Sequence, residues 1–391
     1  MEIFKEKRFV SVALGHLIID IMNGQRIVIL PFLSVLMGLS NTTLGIVGSV
    51  YVITAALMQP VFGWMSDRWG PKWLAAGGVL WMAVFLSLAL IFPGWLGIVF
   101  LVIASQGSGM FHPAGAAQAT SIGHSFRDNH ETVTASYFFL MGQMGYFIGP
   151  LAGGLLLNHW GMPGILVITI LAIPLGIYIA TSLNGSRLGS TPKVSAKSPA
   201  NHGARKVGWV GLVALVVLTA AQSWSQQNIS NFLPKYLSDL GQPATYYGMM
   251  ASIYMLGSAF GNISAGYLGA RFEKRWIVLA SLVLAGAPIA LFVRFIDSWW
   301  LVVMVLLAGF FLGAAYTMVV VLGQKIIPGG MGLASGLILG FVFSSGALGV
   351  AFTGGLADLW GFERVFLMTA GIALAGGFAA LFLSRDEKKP S

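Results

Sequence analysis

Long apolar stretches recur along the whole chain, separated by short polar segments. Each has roughly 18 or more mostly apolar residues, which is enough to cross a hydrocarbon core of about 30 Å as an α-helix. The pattern predicts an all-α membrane protein with about twelve transmembrane helices. The expected spans are residues 9–36, 43–65, 73–92, 95–121, 132–157, 163–183, 208–234, 244–269, 276–296, 299–324, 331–356 and 364–384.

The composition agrees with this prediction. Hydrophobic residues make up 57% of the chain, charged residues only 9%, and the mean hydropathy is +0.82. Lys and Arg accumulate in cytoplasmic loops of membrane proteins. If the first span is retained rather than cleaved as a signal peptide, 18 of the 22 basic residues fall in predicted inside segments. We therefore expect a multi-pass inner-membrane protein with both termini cytoplasmic.

The charge distribution and the absence of catalytic and nucleotide-binding motifs reduce the number of possible functions. The net charge of +9 lies mostly on short loops that face an anionic leaflet, so we expect no nucleic-acid partner. The chain has no Cys, which excludes disulfides and thiol chemistry. It also lacks GxxxxGK[ST], HExxH and GxSxG motifs, so we expect neither an enzyme nor a cofactor or metal site. An ion gradient is then the expected energy source.

The chain repeats itself. Residues 184–207, rich in Ser, Pro, Gly and basic residues, read as a cytoplasmic linker between residues 1–183 and 208–391. Leu30–Pro31 returns as Leu233–Pro234, and GGLLLNHWG from Gly153 is echoed by GGLADLWG from Gly354. Two parallel six-helix bundles with a site near the bilayer midplane are the predicted architecture, and one chain encloses a complete site, so we expect a monomer.

The first predicted helix contains HLIIDIMNGQR, an unusual set of polar residues for a membrane span. His16, Asp20 and Asn23 fall within about 60° on a helical wheel, with Arg26 about 60° further round. Ionisable side chains at membrane depth are costly and usually functional. We interpret Asp20, with His16 and Arg26, as a proton-coupling site. The alternative is a static pair of Asp20 with Arg26 or His16.

Other helices add candidate ligands for a substrate. On the fourth helix His112 precedes Pro113, which interrupts the hydrogen-bond ladder; His112 either binds an anion or a proton, or is a neutral residue bonded to a neighbouring helix. AQSWSQQNISNF, residues 221–232, predicts a partly unwound segment of the seventh helix that lines the cavity. The substrate-binding candidates are Asn23, His112, Tyr137, Gln143, Gln222, Trp224, Gln226, Asn228, Tyr254 and Tyr316.

Two further motifs suggest a conformational switch. In GWMSDRWGPKW, Asp67 is placed to accept hydrogen bonds from the amino terminus of a neighbouring helix, an interaction of roughly 0.3–2 kcal/mol; the aligned residue of the second half is Ala270. In GYFIGPLAGG, glycines four residues apart form a groove for a close helix, and a proline kinks it. The predicted switch residues are Gly63, Asp67, Arg68, Gly70, Lys72, Gly145, Gly149 and Pro150.

These motifs carry a family resemblance. GWMSDRWGPKW resembles the signature between the second and third helices of the major facilitator superfamily, and GYFIGPLAGG is similar to the fifth-helix motif of its proton-coupled antiporters. HLIID and MFHPAG resemble first- and fourth-helix signatures of fosmidomycin resistance proteins, although Ile19 and Ala114 stand where that family has Asn and Glu. The resemblance implies alternating access between the two bundles.

The expected function is proton-coupled efflux of a small organic anion or drug-like compound, with protonation of Asp20 exchanged against substrate binding. An uptake symporter, a uniporter and a lipid flippase remain alternatives. A membrane enzyme or sensor would need a nucleophile or an appended domain. The expected partners are the substrate, protons and membrane lipid.

Overall fold

The computed structural model describes residues 3–92, 94–125, 131–184, 209–269, 271–326 and 331–383. Within these residues the chain forms eleven α-helices and two short 3-10 helices, with no strand. Ten of the α-helices, all except α7, are long and apolar enough to cross a membrane. The predicted all-α membrane fold is confirmed. The helices are α1 (Lys7–Met37), α2 (Asn41–Trp69), α3 (Pro71–Ile91), α4 (Gly94–Ser125), α5 (Glu131–Ser182), α6 (Trp209–Asp239), α7 (Ala244–Leu268), α8 (Lys274–Arg294), α9 (Trp300–Ile326), α10 (Met331–Trp360) and α11 (Phe362–Ala379).

Helix α5 accounts for two of the predicted spans. Its backbone leaves the helical region at Gly161, where φ is +65° and ψ is −162°. A side chain disfavours a positive φ, so a glycine suits this break, and Pro163 then begins a new helical stretch. The predicted fifth and sixth helices therefore follow each other across a single kinked residue. Counted on either side of the kink, the described residues contain twelve α-helical segments.

The described residues fall into two compact units. The first contains residues 3–39, 50–184 and 237–252, apart from the gaps above; the second contains 40–49, 209–236 and 253–383. The start of α2 thus belongs to the second unit, and the start of α7 to the first. The predicted linker boundary falls on residues that, from 185 to 207, lie outside those described, and it stays a prediction.

Within the first unit, glycines of α5 let α1 approach very closely. A Cβ atom on Gly145 would lie 2.5 Å from the Leu17 carbonyl oxygen, and one on Gly149 would lie 2.6 Å from that of Ile21. No side chain fits there, so the backbones of the two helices are in contact. This packing buries the polar face of α1 inside the unit.

In the second unit, α6 corrects one prediction. The helix is continuous through residues 221–232, so the expected partial unwinding is wrong. Three of the polar side chains that suggested unwinding instead donate hydrogen bonds to three neighbouring helices, without disturbing the backbone of α6. The bonds run from Gln222 Nε2 to Leu312 O of α9 (3.2 Å), from Trp224 Nε1 to Thr353 Oγ1 of α10 (2.8 Å) and from Asn228 Nδ2 to Thr369 Oγ1 of α11 (3.2 Å).

Candidate functional site

Two histidines meet one acid in the interior of the first unit. Nε2 of His16 lies 3.2 Å from Oδ2 of Asp20, one turn further along α1. Nε2 of His112, on α4, lies 3.4 Å from Oδ1 of the same carboxylate. His16 and Asp20 are buried, whereas the side chain of His112 is 26% exposed. The structure thus brings together three of the four predicted proton-coupling residues, and one of them reaches accessible space.

The far side of each imidazole is held by a backbone carbonyl. Nδ1 of His16 is 2.7 Å from the carbonyl oxygen of Phe138 on α5, and its ring stacks on the Phe138 ring at 4.0 Å. Nδ1 of His112 is 2.8 Å from the carbonyl oxygen of Ser108, one turn earlier on α4. Gly142 leaves room for the pair, since a Cβ there would contact both His16 and Asp20. Both rings are therefore fixed in orientation.

Asn23 connects this cluster to two other helices. Its Nδ2 donates to Asp20 Oδ1 at 3.0 Å and to Ser108 Oγ at 2.9 Å, and its Oδ1 accepts from the Tyr51 hydroxyl at 2.8 Å. The buried guanidinium of Arg26 lies over the Tyr51 ring, 5.0 Å from its centroid. The fourth predicted residue, Arg26, thus joins the network through the ring of Tyr51. Tyr51 was not among the sequence candidates, because a lone tyrosine in an apolar helix gives no distinguishing signal.

The substrate candidates of the second unit form a separate group. Gln222 donates to Oε1 of Gln226 at 2.5 Å, and the buried Tyr254 donates to the Gln226 carbonyl oxygen at 3.1 Å. The Trp224 ring packs edge-on against Phe352 and sits where a side chain on Gly349 would be. Oε1 of Gln222 and Oδ1 of Asn228 are buried and have no hydrogen-bond partner in the part of the chain that the structure describes.

The three remaining substrate candidates are Tyr137, Gln143 and Tyr316. Tyr137 packs edge-on against Phe4, with ring centroids 5.0 Å apart, near the start of the chain. Gln143 is exposed on α5, and Tyr316 is half-buried on α9. Within each unit, the contacts of the described residues therefore do not join all of its candidates into one cluster.

Five of the eight predicted switch residues, from Gly63 to Lys72, lie in the last part of α2, at its junction with α3 and at the start of α3. Gly70 takes a φ of +90° before α3, and the Arg68 guanidinium lies 5.5 Å from the Trp64 ring. Lys72 donates to Asn184 at 3.2 Å. Asp67 is exposed and has no hydrogen-bond partner among the described residues; residues 327–330 before α10, like Ala270, are outside them. Its latch role stays a prediction, as does the hinge role of Gly145, Gly149 and Pro150.

A helix-capping acid that was not among the sequence candidates lies near the carboxyl end of α10. Asp358 accepts hydrogen bonds from the Asn41 amide (2.9 Å), the Thr42 amide (2.8 Å) and the Thr42 hydroxyl (2.6 Å). Its carboxylate therefore caps the amino terminus of α2, all within the second unit. The available signal was the acid in GGLADLWG, where the first-half copy has Asn158.

One group of described residues has the donors to surround a metal ion. One imidazole nitrogen each of His16 and His112 and one carboxylate oxygen of Asp20 lie within 4.8 Å of one another. Two imidazoles and one carboxylate form a ligand set that suits divalent transition metals. The sequence predicts no metal site, and a chelator in the transport assay tests whether a metal ion bound to these side chains takes part.

Comparisons with known proteins agree with the fold. The chain matches the Major Facilitator Superfamily over residues 12–221 and 215–391. It is 25% identical to the fosmidomycin resistance protein of Escherichia coli (strain K12), over 97% of this chain and 93% of that protein. It is 30% identical, with the same coverage, to the uncharacterized MFS-type transporter YfnC of Bacillus subtilis (strain 168).

A solved structure gives the same result. The crystal structure of the nucleoside transporter NupG superposes with a TM-score of 0.76 at 14% sequence identity, covering 96% of this chain and 98% of that one. At this identity the likeness establishes the fold alone. Together with the sequence matches, it confirms the predicted resemblance. The chain therefore belongs to the major facilitator superfamily and is a multi-pass membrane transporter.

Proposed function

We propose that this transporter exports a small organic anion or drug-like compound across the cell inner membrane in exchange for protons, by alternating access. The observation that supports this proposal is the buried carboxylate of Asp20 held between the imidazoles of His16 and His112. The name of the fosmidomycin resistance protein, a relative over nearly the whole chain, points to efflux as the direction.

Proton coupling follows from the chemistry of this cluster. Carboxylates and imidazoles are the side chains that exchange protons in transport relays. Here the carboxylate of Asp20 contacts two imidazoles, so the net charge of the site changes with every proton that is bound or released. The partial exposure of His112 gives these protons a way in. A substrate that takes over contacts of Asp20, His16 or His112 competes with the protons for these side chains, and this competition couples substrate efflux to proton entry.

The preference for an anion rests on the balance of charges. Beside the cluster, Arg26 adds a fixed positive charge over the Tyr51 ring. Arg26 keeps its positive charge when the imidazoles of His16 and His112 release their protons. A substrate carboxylate, phosphonate or phosphate can pair with Arg26 in the deprotonated site.

The substrate-binding candidates of the second unit include side chains that bond to other helices and side chains that we propose contact a ligand. Trp224 and Asn228 already bond to α10 and α11, and we assign them to packing. Gln226 and Tyr316 are half-buried, and we retain them as groups that reach a ligand. Amides and phenols suit a polar, drug-sized compound.

The test uses proteoliposomes with a pH-sensitive dye in the lumen. The lumen is loaded with organic anions or amphiphilic drugs, one at a time, and diluted into compound-free buffer containing EDTA. We expect substrate efflux to acidify the lumen in the wild type and to give no proton signal in Asp20→Asn. Asp297→Asn, at an exposed acid between α8 and α9, is the matched control and should behave as wild type.

Three other outcomes contradict the proposal. Efflux without a proton signal in the wild type would indicate a uniporter. Alkalinisation instead of acidification would indicate a symporter. Movement of labelled phospholipid between leaflets, with no exchange of any aqueous compound, would indicate a flippase.

A further inference from the structure

The two histidines of the cluster have their tautomers fixed by the backbone. A carbonyl oxygen only accepts hydrogen bonds. Nδ1 of His16 lies 2.7 Å from the Phe138 carbonyl oxygen, and Nδ1 of His112 lies 2.8 Å from that of Ser108. Each Nδ1 must therefore hold a hydrogen, because a bare nitrogen at that distance would set two acceptors against each other.

The tautomer determines whether each Nε2 donates or accepts a hydrogen bond. A neutral imidazole has one N–H, so with Nδ1 protonated its Nε2 is a bare acceptor. Yet both Nε2 atoms face oxygens of Asp20, at 3.2 and 3.4 Å. A bare nitrogen against a carboxylate oxygen in a buried site is repulsive. Each of the two contacts therefore requires a proton between nitrogen and oxygen.

A single proton cannot satisfy both contacts. If Asp20 itself is protonated, its one O–H serves one histidine and leaves the other facing an oxygen lone pair. If one imidazole is protonated, the other remains bare. Only two protons make both contacts attractive. The carboxylate then accepts from His16, His112 and Asn23, an arrangement that favours its ionised form.

We propose that the observed form of this cluster holds two protons, one on Nε2 of His16 and one on Nε2 of His112, with Asp20 as their shared counter-charge. This inference rests on the proposed proton-coupled function. It assigns the exchange of two protons for each substrate molecule, and it makes the imidazoles, rather than Asp20, the proton carriers.

The other charged and titratable groups facing the cluster do not supply these protons. Arg26 of α1 and Tyr51 of α2 lie beyond Asn23, and Tyr146 of α5 lies near Arg26. Arg26 is permanently charged at physiological pH, and a phenol keeps its proton there.

The exposures of the two histidines suggest an order of exchange. The His112 side chain is 26% exposed and that of His16 is 4% exposed. His112 therefore exchanges its proton with the accessible space first. Once its Nε2 is bare, it is repelled by Asp20, and this repulsion separates α4 from α1 at the cluster.

The test is the proton-to-substrate ratio from reversal measurements. Proteoliposomes with clamped membrane potential are given a fixed gradient of a transported compound, and the pH gradient that stops net flux is determined. We expect a ratio of two for the wild type and of one for both His112→Gln and His16→Gln. Glutamine keeps an N–H near the position of Nε2 but cannot release it. His159→Gln, at an exposed histidine of α5, is the matched control and should keep a ratio of two.

The measured ratio distinguishes a failure of the proposed function from a failure of the two-proton inference. A ratio of zero in the wild type refutes the proposed function itself, whereas a ratio of one refutes only the two-proton inference. Loss of coupling in EDTA would mean that the cluster serves a metal ion and would overturn the inference. If the glutamine variants do not fold, ¹⁵N NMR of histidine-labelled wild type decides: we expect two buried imidazolium rings, and bare Nε2 signals from His16 and His112 contradict the inference.

Discussion

At the scale of single residues, Asn23 is the connection between the acid of the cluster and helices α2 and α4. Its amide makes three hydrogen bonds, to Asp20, Ser108 and Tyr51. Removing it leaves buried partners unsatisfied, at roughly 1–3 kcal/mol for each group. We expect Asn23→Ala to lower the free energy of unfolding by roughly 2–5 kcal/mol. Thermal unfolding in detergent, followed by tryptophan fluorescence, measures the change.

The control for this variant is Asn262→Ala on α7. Asn262 is half-buried, and its side chain accepts one hydrogen bond from Thr317 of α9 at 2.8 Å. Its loss should cost about 1 kcal/mol, the usual net value of one bond. Equal losses of stability in the two variants would mean that the Asn23 network adds nothing beyond a single bond.

At the scale of helices, the contact between α1 and α5 depends on glycine. A Cβ on Gly145 would lie 2.5 Å from the Leu17 carbonyl oxygen and 2.8 Å from Asp20 Cβ. Backbone atoms cannot yield as a flexible side chain does, so Gly145→Ala must separate the helices. We expect a loss of roughly 1–3 kcal/mol in unfolding free energy, the usual cost of overpacking, together with weaker proton coupling.

Gly77 on α3 gives the matched comparison. A Cβ there would meet nothing within 4 Å, and the residue lies inside a helix. Gly77→Ala should therefore be neutral or stabilise by about 0.4–1 kcal/mol, because alanine restricts the unfolded chain. If Gly145→Ala behaves like Gly77→Ala in thermal unfolding, the close packing of α1 on α5 is not needed.

A second prediction for the helices concerns the cap of α2. Asp358 accepts from the amides of Asn41 and Thr42, while Ser40 Oγ accepts from the Thr43 amide at 3.1 Å. The first three amides of α2 are thus satisfied by side chains. Asp358→Ala should lower the unfolding free energy by about 1–2 kcal/mol, as other cap losses do. Asp358→Asn should lose less, because its amide oxygen still accepts. Asp297→Ala, at an exposed acid, should leave the melting temperature unchanged.

The helices themselves were largely predictable, whereas their side-chain partners were not. Apolar length alone placed nearly every span, and the wheel of α1 brought His16, Asp20 and Asn23 together. The pattern of residues 221–232 wrongly predicted an unwound segment. The sequence alone does not show that Thr353 and Thr369 on neighbouring helices accept hydrogen bonds from these side chains. The role of Asp358 was hidden for the same reason, since its partners are backbone amides more than 300 residues away.

At the scale of the whole molecule, the two halves differ in chemistry at equivalent positions. The offset that relates Leu30 to Leu233 maps His16 to Thr219 and Asp20 to Ser223. Thr219 donates to a carbonyl within α6, and Ser223 to one of α10. At these two positions the repeat keeps polar groups in both halves but ionisable ones only in the first. The proposed proton exchange therefore involves the first unit at these positions.

The predicted topology can be tested because the chain contains no cysteine. Any single cysteine is then the only thiol. Arg271 and Asp297 are exposed residues that flank the two ends of α8 (Lys274–Arg294). With basic loops inside, Arg271 faces the cytoplasm and Asp297 the outside. In intact cells, a membrane-impermeant maleimide should label Asp297→Cys and should label Arg271→Cys only after permeabilisation.

The wild type is the background control for this experiment, since it offers no thiol. Reversed labelling would place the basic loops outside, and the direction assigned to export and proton entry would have to be reversed with them. Labelling of both variants in intact cells would mean that α8 does not separate the two compartments. The expected pattern fixes the orientation of α8 and, through the alternation of spans, of the helices that form the cluster around Asp20.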